Sequence, residues 1–590
     1  MKSFLKYTLA TITGIVISSF VIFFIVLAVI SAIISSTDKP FEAKENSILH
    51  IKLNQEINDR SSENPMDNFD FNTFKPIKKL GLNDILDNIE KAKDDDKIKG
   101  IYLDLRIVAT GYASTEEIRE ALLKFKESGK FIIAYSDIYT QKAYYLATVA
   151  DSIFLNPAGM IDLSGLSKRV LFYKGTFDKL NIKPQIIRHG EYKSYVEPFM
   201  LKKMSEENKE QTMEYIGDIW NFMLKGISSK RKISIEQLNK IADELTSIFD
   251  VEKSLELNIV DGLKYEDEVL KTLKNLSGIS QDKEIRAVSL NKYDGVPKKR
   301  KGKGLAKNKI ALIYAEGDIN IGEGDENTIG SDEFSKVIRK ARKDSTIKAV
   351  VLRVNSPGGS MLASEIIRRE VELLSKTKPV VASMGNVAAS GGYYILCNAD
   401  TIIASQNTIT GSIGVLAILY NAKSFFDNKI GITSDIVKTN DKSDLGTIFR
   451  PLTAVEKTML LNYVKKAYDE FTGYVSEGRN MTKEEVDKIA RGRVWSGEDA
   501  LKIGLIDGFG GMKKAIEIAV EMANLDNYRI INLPKQEDPL EILMKDLTGD
   551  AKIKLLKSEL GENYKYYKEF KNLIHFQGLQ ARMPFELIND

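Results

Sequence analysis

Ser390 sits in Asn386-Val387-Ala388-Ala389-Ser390-Gly391-Gly392-Tyr393-Tyr394, where small neighbours leave a hydroxyl open to an approaching substrate. A serine attacks a carbonyl only when a nearby base takes its proton. The chain holds three histidines, His50, His189 and His575, and no Ser/His/Asp arrangement suggests itself. A lysine can serve instead if burial lowers its pKa until the amine is neutral near pH 7. Gly190-Glu191-Tyr192-Lys193-Ser194-Tyr195-Val196-Glu197-Pro198-Phe199 sets Lys193 among aromatic and small residues, after a predicted strand at 185–188. A third motif, Arg353-Val354-Asn355-Ser356-Pro357-Gly358-Gly359-Ser360, allows a tight turn with inward amides, which an oxyanion requires. The Gly391 N–H would be a second donor. Each motif also has a bland reading: a helix N-cap for Ser390, a solvated lysine for Lys193, a strand-to-helix turn for Pro-Gly-Gly.

An internal repeat links these motifs. Shifting residues 99–166 forward by about 249 positions lays them on 348–415 with about one residue of slip. Glu116 then meets Glu365, Arg119 meets Arg368, Tyr144-Tyr145 meets Tyr393-Tyr394, and Gly165 meets Gly414. Self-similarity of that length indicates a duplicated domain. The copies differ at the chemistry: Gln141 stands opposite Ser390, and Val108-Ala109-Thr110 opposite Pro357-Gly358-Gly359. Lys193 has a counterpart in Lys442. Either Lys193 crosses between copies to serve Ser390, or Lys442 serves it within one copy.

The elements that must hold these groups alternate apolar β-rich runs with amphipathic helices, which predicts α/β units in each half. Buried parallel strands are expected at 98–105, 131–134, 347–354 and 380–383, with helices at 116–125 and 365–374 between them. The organisation expected is a membrane anchor at 1–45, repeats at 46–296 and 309–533, a basic linker at 297–308, and a helical tail at 534–590. From Tyr7 to Thr37 the chain carries no charge, a run longer than the roughly 20 residues that span a bilayer. It is also longer than the apolar core of a cleaved signal peptide. Residues 8–36 are therefore expected to sit in lipid, and Lys2 and Lys6 favour a cytoplasmic N-terminus. A formal charge of +3 over 590 residues gives no reason to expect a nucleic-acid partner. The single Cys397 excludes an intramolecular disulfide, and no Cys/His cluster suggests a metal or other cofactor.

Taken together and in order, the motifs at 191–199, 353–360, 386–394 and Thr410-Gly411-Ser412-Ile413-Gly414-Val415 resemble those of signal peptide peptidase A in its long, duplicated form. The resemblance covers essentially the whole chain. It implies tandem crotonase-type domains like those of the Clp protease, and a homotetrameric bowl on the extracytoplasmic side of the inner membrane. It also implies a Ser/Lys dyad whose members come from different halves. Carried over by position, Ser390 is the nucleophile, Lys193 the general base, and the Gly358 and Gly391 amides the oxyanion hole, with Gly359 the alternative to Gly358. Ser412 would orient the lysine or line the pocket. The resemblance favours Lys193 over Lys442, and so do the acids Asp441 and Asp444, which would hold Lys442 charged. The implied substrates are signal-peptide remnants and other apolar peptides. Two rival readings are an acyl-CoA enzyme on the same fold, whose enolate the glycine amides would suit, and a non-catalytic membrane scaffold.

Overall fold

Short Ile/Val/Leu runs flanked by charged turns become the central strands of two sheets, one in each half of the chain. The computed structural model describes residues 2–37, 41–62, 64, 69–70, 75–76, 78–297, 306–325, 328–536 and 578–583. In the earlier half the spatial order is Gly262–Leu263, Ser152–Ile161, Phe131–Tyr139, Ile98–Asp104, Ser47–Ile51 and Ala287–Ser289, all parallel. In the later half it is Val494–Ser496, Ile409–Gly411, Val380–Ala389, Ile347–Ser356, Lys309–Glu316 and Arg529–Leu533, with only Val494–Ser496 antiparallel to its neighbour. Residues 349–354 are buried without a break, as expected of a parallel strand covered on both faces.

The duplication extends to side-chain detail. Helices Tyr112–Lys126 and Met361–Ser375 are both 15 residues long, and Glu206–Arg231 and Ala454–Arg479 both 26. The Tyr144 hydroxyl donates to the Ile259 carbonyl at 2.8 Å, and its counterpart Tyr393 donates to Leu505 at the same distance. Asp261 accepts from the Ile153 N–H and Asp507 from the Ile402 N–H, each at 2.7 Å.

A third sheet ties the halves together. Lys183–Arg188 of the earlier half pairs antiparallel along six residues of Leu416–Asn421. Gln580–Arg582 lies between Leu416–Asn421 and Gly358–Ser360, and Asp318–Asn320 and Thr328–Gly330 complete the sheet.

Buried polar contacts fix the register between halves. Arg353 is fully buried and meets Asp59 at 2.8 Å and Glu117 at 2.7 Å, both from the earlier half. Removing one member of such a cluster would leave a buried charge unpaired, at a cost of about 3–5 kcal/mol. The Asn386 amide donates to Ser114 Oγ at 3.0 Å and accepts from the Ser114 N–H at 3.0 Å. Val494 donates its N–H to Gln211 Oε1 at 3.0 Å, joining the long helix Glu206–Arg231 to the later half.

The N-terminal apolar run forms one helix, Lys2–Thr37. The side chains of residues 22–23 and 25–37 lie outside the described set, and among the described residues no helix is long and apolar enough to cross a membrane. The basic linker at 298–305 and the tail at 537–577 and 584–590 also lie outside the described residues.

Glu116 gives this interface a pH dependence. Its carboxylate accepts from the Asn407 amide at 3.0 Å and from the Ser405 hydroxyl, across the boundary between halves. Burial, with Glu120 and Glu117 nearby, pushes its pKa up to about 7. An unfolded glutamate ionises from its ordinary value of 4.5 upward, so stability is lost as pH rises from about 4.5 to about 7. The full cost above that range is about 3 kcal/mol. Glu116→Gln keeps an acceptor for both donors and removes the titration. Thermal melts should show the variant more stable than the parent at pH 8 and equal to it near pH 4; equal melting at both values would contradict this role.

Candidate active site

Ser390 follows the strand Val380–Ala389, which runs six residues beyond the 380–383 stretch that the sequence suggests. Its backbone turns sharply, with φ 56° and ψ −115°, before the short helix Gly391–Tyr394. A left-handed φ in a non-glycine residue costs on the order of 1–3 kcal/mol and needs surrounding support. Here the Ser390 N–H donates to the Gly411 carbonyl at 2.8 Å. An N-cap serine has extended dihedrals and bonds the amides that follow it. Ser390 does neither, so its hydroxyl is not a helix cap.

Lys193 follows the strand Lys183–Arg188, which the third sheet carries across to the later half. It is fully buried, packed against Gly414 and Gly492. A methyl group on Gly492 would stand 2.6 Å from Lys193 Cβ, so only glycine lets the lysine enter here. Lys193 Nζ lies 2.7 Å from Ser390 Oγ, 2.8 Å from the Ser412 carbonyl oxygen and 3.0 Å from Ser412 Oγ. Burial alone holds its pKa well below the ordinary lysine value. A neutral amine has two N–H donors and one lone pair. Ser412 can accept both donors, which aims the lone pair at the Ser390 hydroxyl. That is the geometry of a general base and its nucleophile.

Beside them lies a turn of glycines. A methyl on Gly358 would stand 2.7 Å from the Gly391 nitrogen, so the Pro-Gly-Gly turn and the start of the serine helix share one small crevice. The Gly358 φ of 100° also demands glycine. Its N–H, however, points to Ser356 Oγ at 3.2 Å. The Gly358 amide thus has an acceptor within its own turn. Gly359, the alternative named above, is then the turn's other candidate donor, alongside the Gly391 N–H, which as the first amide of a helix has no intrahelical acceptor.

Lys442 is exposed in the turn-rich stretch 441–446, away from the buried serine. Of the acids beside it, Asp444 is paired elsewhere. Asp444 pairs with Lys438 at 2.6 Å and with Arg450 at 2.7 Å. Gln141, opposite Ser390 in the repeat, exchanges two hydrogen bonds with Gly165, at 3.0 and 2.9 Å. The nucleophile position of the earlier half is thereby closed by an amide. His189 is taken up by ring contact with Tyr468 at 4.3 Å. The sequence does not announce the Arg353, Asp59 and Glu117 cluster, because nothing local marks ion pairs between residues more than 200 positions apart.

A buried serine and lysine at hydrogen-bond distance, beside convergent glycine amides on an α/β scaffold, describe a serine peptidase, and the sequence comparisons agree. The chain belongs to peptidase family S49, whose model matches residues 124–280 and 372–526, one match in each half. It is 36% identical over 516 residues to Protease 4 of Haemophilus influenzae, covering 85% of this chain and 81% of that protein. It is 38% identical to Protease 4 of Salmonella typhi, covering 81% of this chain and 78% of the relative. It is also 34% identical to the chloroplastic serine protease SPPA of Arabidopsis thaliana, covering 85% and 74%.

Only the neutral amine can accept the serine proton, so reactivity should rise with pH through the depressed pKa of Lys193. Labelling of Ser390 by a serine-directed acylating probe should follow one ionisation, with a midpoint far below the ordinary lysine value. A midpoint at that ordinary value would contradict the burial argument.

Proposed function

We propose that the chain is a membrane-anchored endopeptidase that uses Ser390 as nucleophile and Lys193 as general base to degrade cleaved signal peptides and other apolar peptides. The observation that carries this reading is the 2.7 Å approach of Lys193 Nζ to Ser390 Oγ in a fully buried setting. Neutral Lys193 takes the hydroxyl proton as Oγ attacks the peptide carbonyl. The Gly359 and Gly391 amides stabilise the tetrahedral oxyanion. The lysine then gives its proton to the leaving amine, and water hydrolyses the ester by the same route reversed. Ser412 keeps the amine oriented throughout.

The domains are of the crotonase type found in the Clp protease, and the catalytic halves lie on the extracytoplasmic side of the inner membrane. The helix Lys2–Thr37 supplies the anchor through residues 8–36. Apolar peptides partition into the bilayer and need only reach the rim of the enzyme.

The repeat also supports head-to-tail assembly into a ring, a homotetramer in this reading. Within the chain, residues 183–188 pair with 416–421. Their counterparts at 432–437 and 167–172 do not pair with each other, and Ile432, Ile436, Val437 and Leu171 are half-exposed or more. Segment 432–437 of one copy can pair with 167–172 of the next as the intramolecular pair does, and the interfaces repeat until the ring closes. Lys442 would then face the Gln141 position of its neighbour, where there is no hydroxyl to activate.

Ser390→Ala and Lys193→Met should each lower cleavage of an apolar peptide by at least about 10²-fold with assembly intact, while Lys442→Met leaves it unchanged. Undiminished cleavage by Ser390→Ala would reject the reading. Val437→Asp should reduce the oligomer to smaller species in analytical ultracentrifugation, and an unaltered oligomer would rule out the proposed ring contact.

A further inference from the structure

In the later half, a crevice past the carboxyl ends of the neighbouring strands Lys309–Glu316 and Arg529–Leu533 is filled from the earlier half. Arg60 lies over the Tyr314 ring at 5.6 Å and donates from Nη1 to the Pro534 carbonyl at 2.6 Å. Next to it, Asp59 pairs with Arg353. The matching crevice of the earlier half lies past the ends of Ser47–Ile51 and Ala287–Ser289. Among the described residues it is an open cavity of about 240 Å³, floored by Leu53, Leu80 and Leu290 and rimmed by Lys52, Ser289 and Asn291. A parallel sheet ordinarily receives its ligands at this end.

The repeat identifies what fits there. Ser47 faces Ile98 and Lys309 faces Ile347, each with a register shift at the following residue, so Lys52 corresponds to Tyr314. His50 faces Ser289 and Leu312 faces Asn532, so Asn291 corresponds to Pro534. The inserting loop has its own counterpart. At the starts of helices Leu82–Lys93 and Ser331–Lys343, the Asn83 N–H donates to the Asp59 carbonyl at 3.2 Å, and the Asp332 N–H to the Gly322 carbonyl at 2.9 Å. A methyl on Gly81 would meet the backbone of Arg60 and Ser61, and one on Gly330 that of Glu323 and Gly324. Gly322 therefore corresponds to Asp59, and Glu323 to Arg60.

The exchanges between the repeats suit one contact. Where Arg60 meets Tyr314, the corresponding residues are Glu323 and Lys52, of opposite charge. Where Asp59 and Glu117 face Arg353, the corresponding residues are Gly322 and Ile366 facing Asp104, so that acid would meet no second acid. Glu323 and Lys52 are exposed, in surface pairs with Lys336 and Asp104 that cost little to redirect. Ile321, just before the loop's glycine, is an exposed aliphatic side chain that a neighbour would cover.

We propose that Glu323 of one copy enters this cavity on the next copy and pairs there with Lys52, and that the contact supports the peptidase site of the copy supplying Glu323. The inference rests on the ring and peptidase readings above. The support runs along a short path. Loop 321–324 continues from the strand Asp318–Asn320, whose Ile319 pairs with Gly359 of the glycine turn. Holding the loop from outside steadies the turn whose amide serves the oxyanion. Glu323 is thus a positioning residue that acts through this strand. A lone copy would keep its Lys193–Ser390 pair but hold the oxyanion donors less firmly, which lowers kcat more than it raises KM.

Glu323→Lys and Lys52→Glu should each shift the oligomer toward smaller species in analytical ultracentrifugation and lower kcat several-fold with KM little changed. The double variant restores opposite charges across the contact and should regain both assembly and rate. Co-expression shows whose cavity is used. A Lys52→Glu chain should recover activity beside a Ser390→Ala chain, whose intact Lys52 receives its Glu323. A Glu323→Lys chain should gain nothing from the same partner, because that Lys52 repels it. Equal rescue of both chains, or no recovery in the double variant, would overturn the inference. Full activity and intact assembly in Glu323→Lys would do the same, and the ring would still stand if Val437→Asp dissolves the oligomer. A parent chain that never assembles would sink the ring and this contact together. One that assembles but cleaves no peptide would sink the peptidase reading and, with it, the support claimed for its site.

Discussion

An amine without a charge is the constraint on which the whole site depends. Lysine is a strong base in water and is then protonated, useless for accepting a serine proton. Placing Lys193 where no solvent reaches makes the charged form unfavourable, and its pKa falls for that reason alone. A buried amine still needs its polar atoms satisfied, and the Ser412 carbonyl and hydroxyl do this while leaving one direction for Ser390. Among the described residues no carboxylate contributes to the shift, which is consistent with its direction, since a nearby acid would restore the charge.

Such a site requires two halves held in strict register, because the lysine and the serine lie 197 positions apart in the chain. The antiparallel pairing of Lys183–Arg188 with Leu416–Asn421 delivers the lysine. The Arg353 cluster, the Ser114–Asn386 pair and the Gln211 bridge keep the two sheets from sliding. Duplication allows one copy to do without a nucleophile while its strand still carries Lys193 to Ser390, and at the position corresponding to Ser390 the Gln141 amide bonds Gly165 instead.

Much of this was legible in the sequence, because duplication makes a chain its own alignment. The offset of about 249 residues located the corresponding strands and helices, and the contrast of Ser390 with Gln141 marked which half could do chemistry. What the sequence hid depends on distant partners. Asp441 and Asp444 looked like neighbours of Lys442, yet Asp444 turns to Lys438 and Arg450. Gly358 and Gly359 are equivalent in a motif, and only the position of Ser356 Oγ separates their amides. The strand Gln580–Arg582 carries no signal of its own, since three residues have no periodicity and their partners, Gly358–Ser360 and Leu416, lie far earlier in the chain.

The most direct test is a crystal structure of the full chain with a peptide boronate, a tetrahedral mimic of the attacked carbonyl. The account requires boron bonded to Ser390 Oγ, Lys193 Nζ of the same chain within hydrogen-bond distance of that oxygen, and a boronate oxygen at the Gly359 and Gly391 amides. A boronate carried by any other side chain would contradict it. So would an adduct on Ser390 with Lys442 of a neighbouring copy at its side and Lys193 turned away.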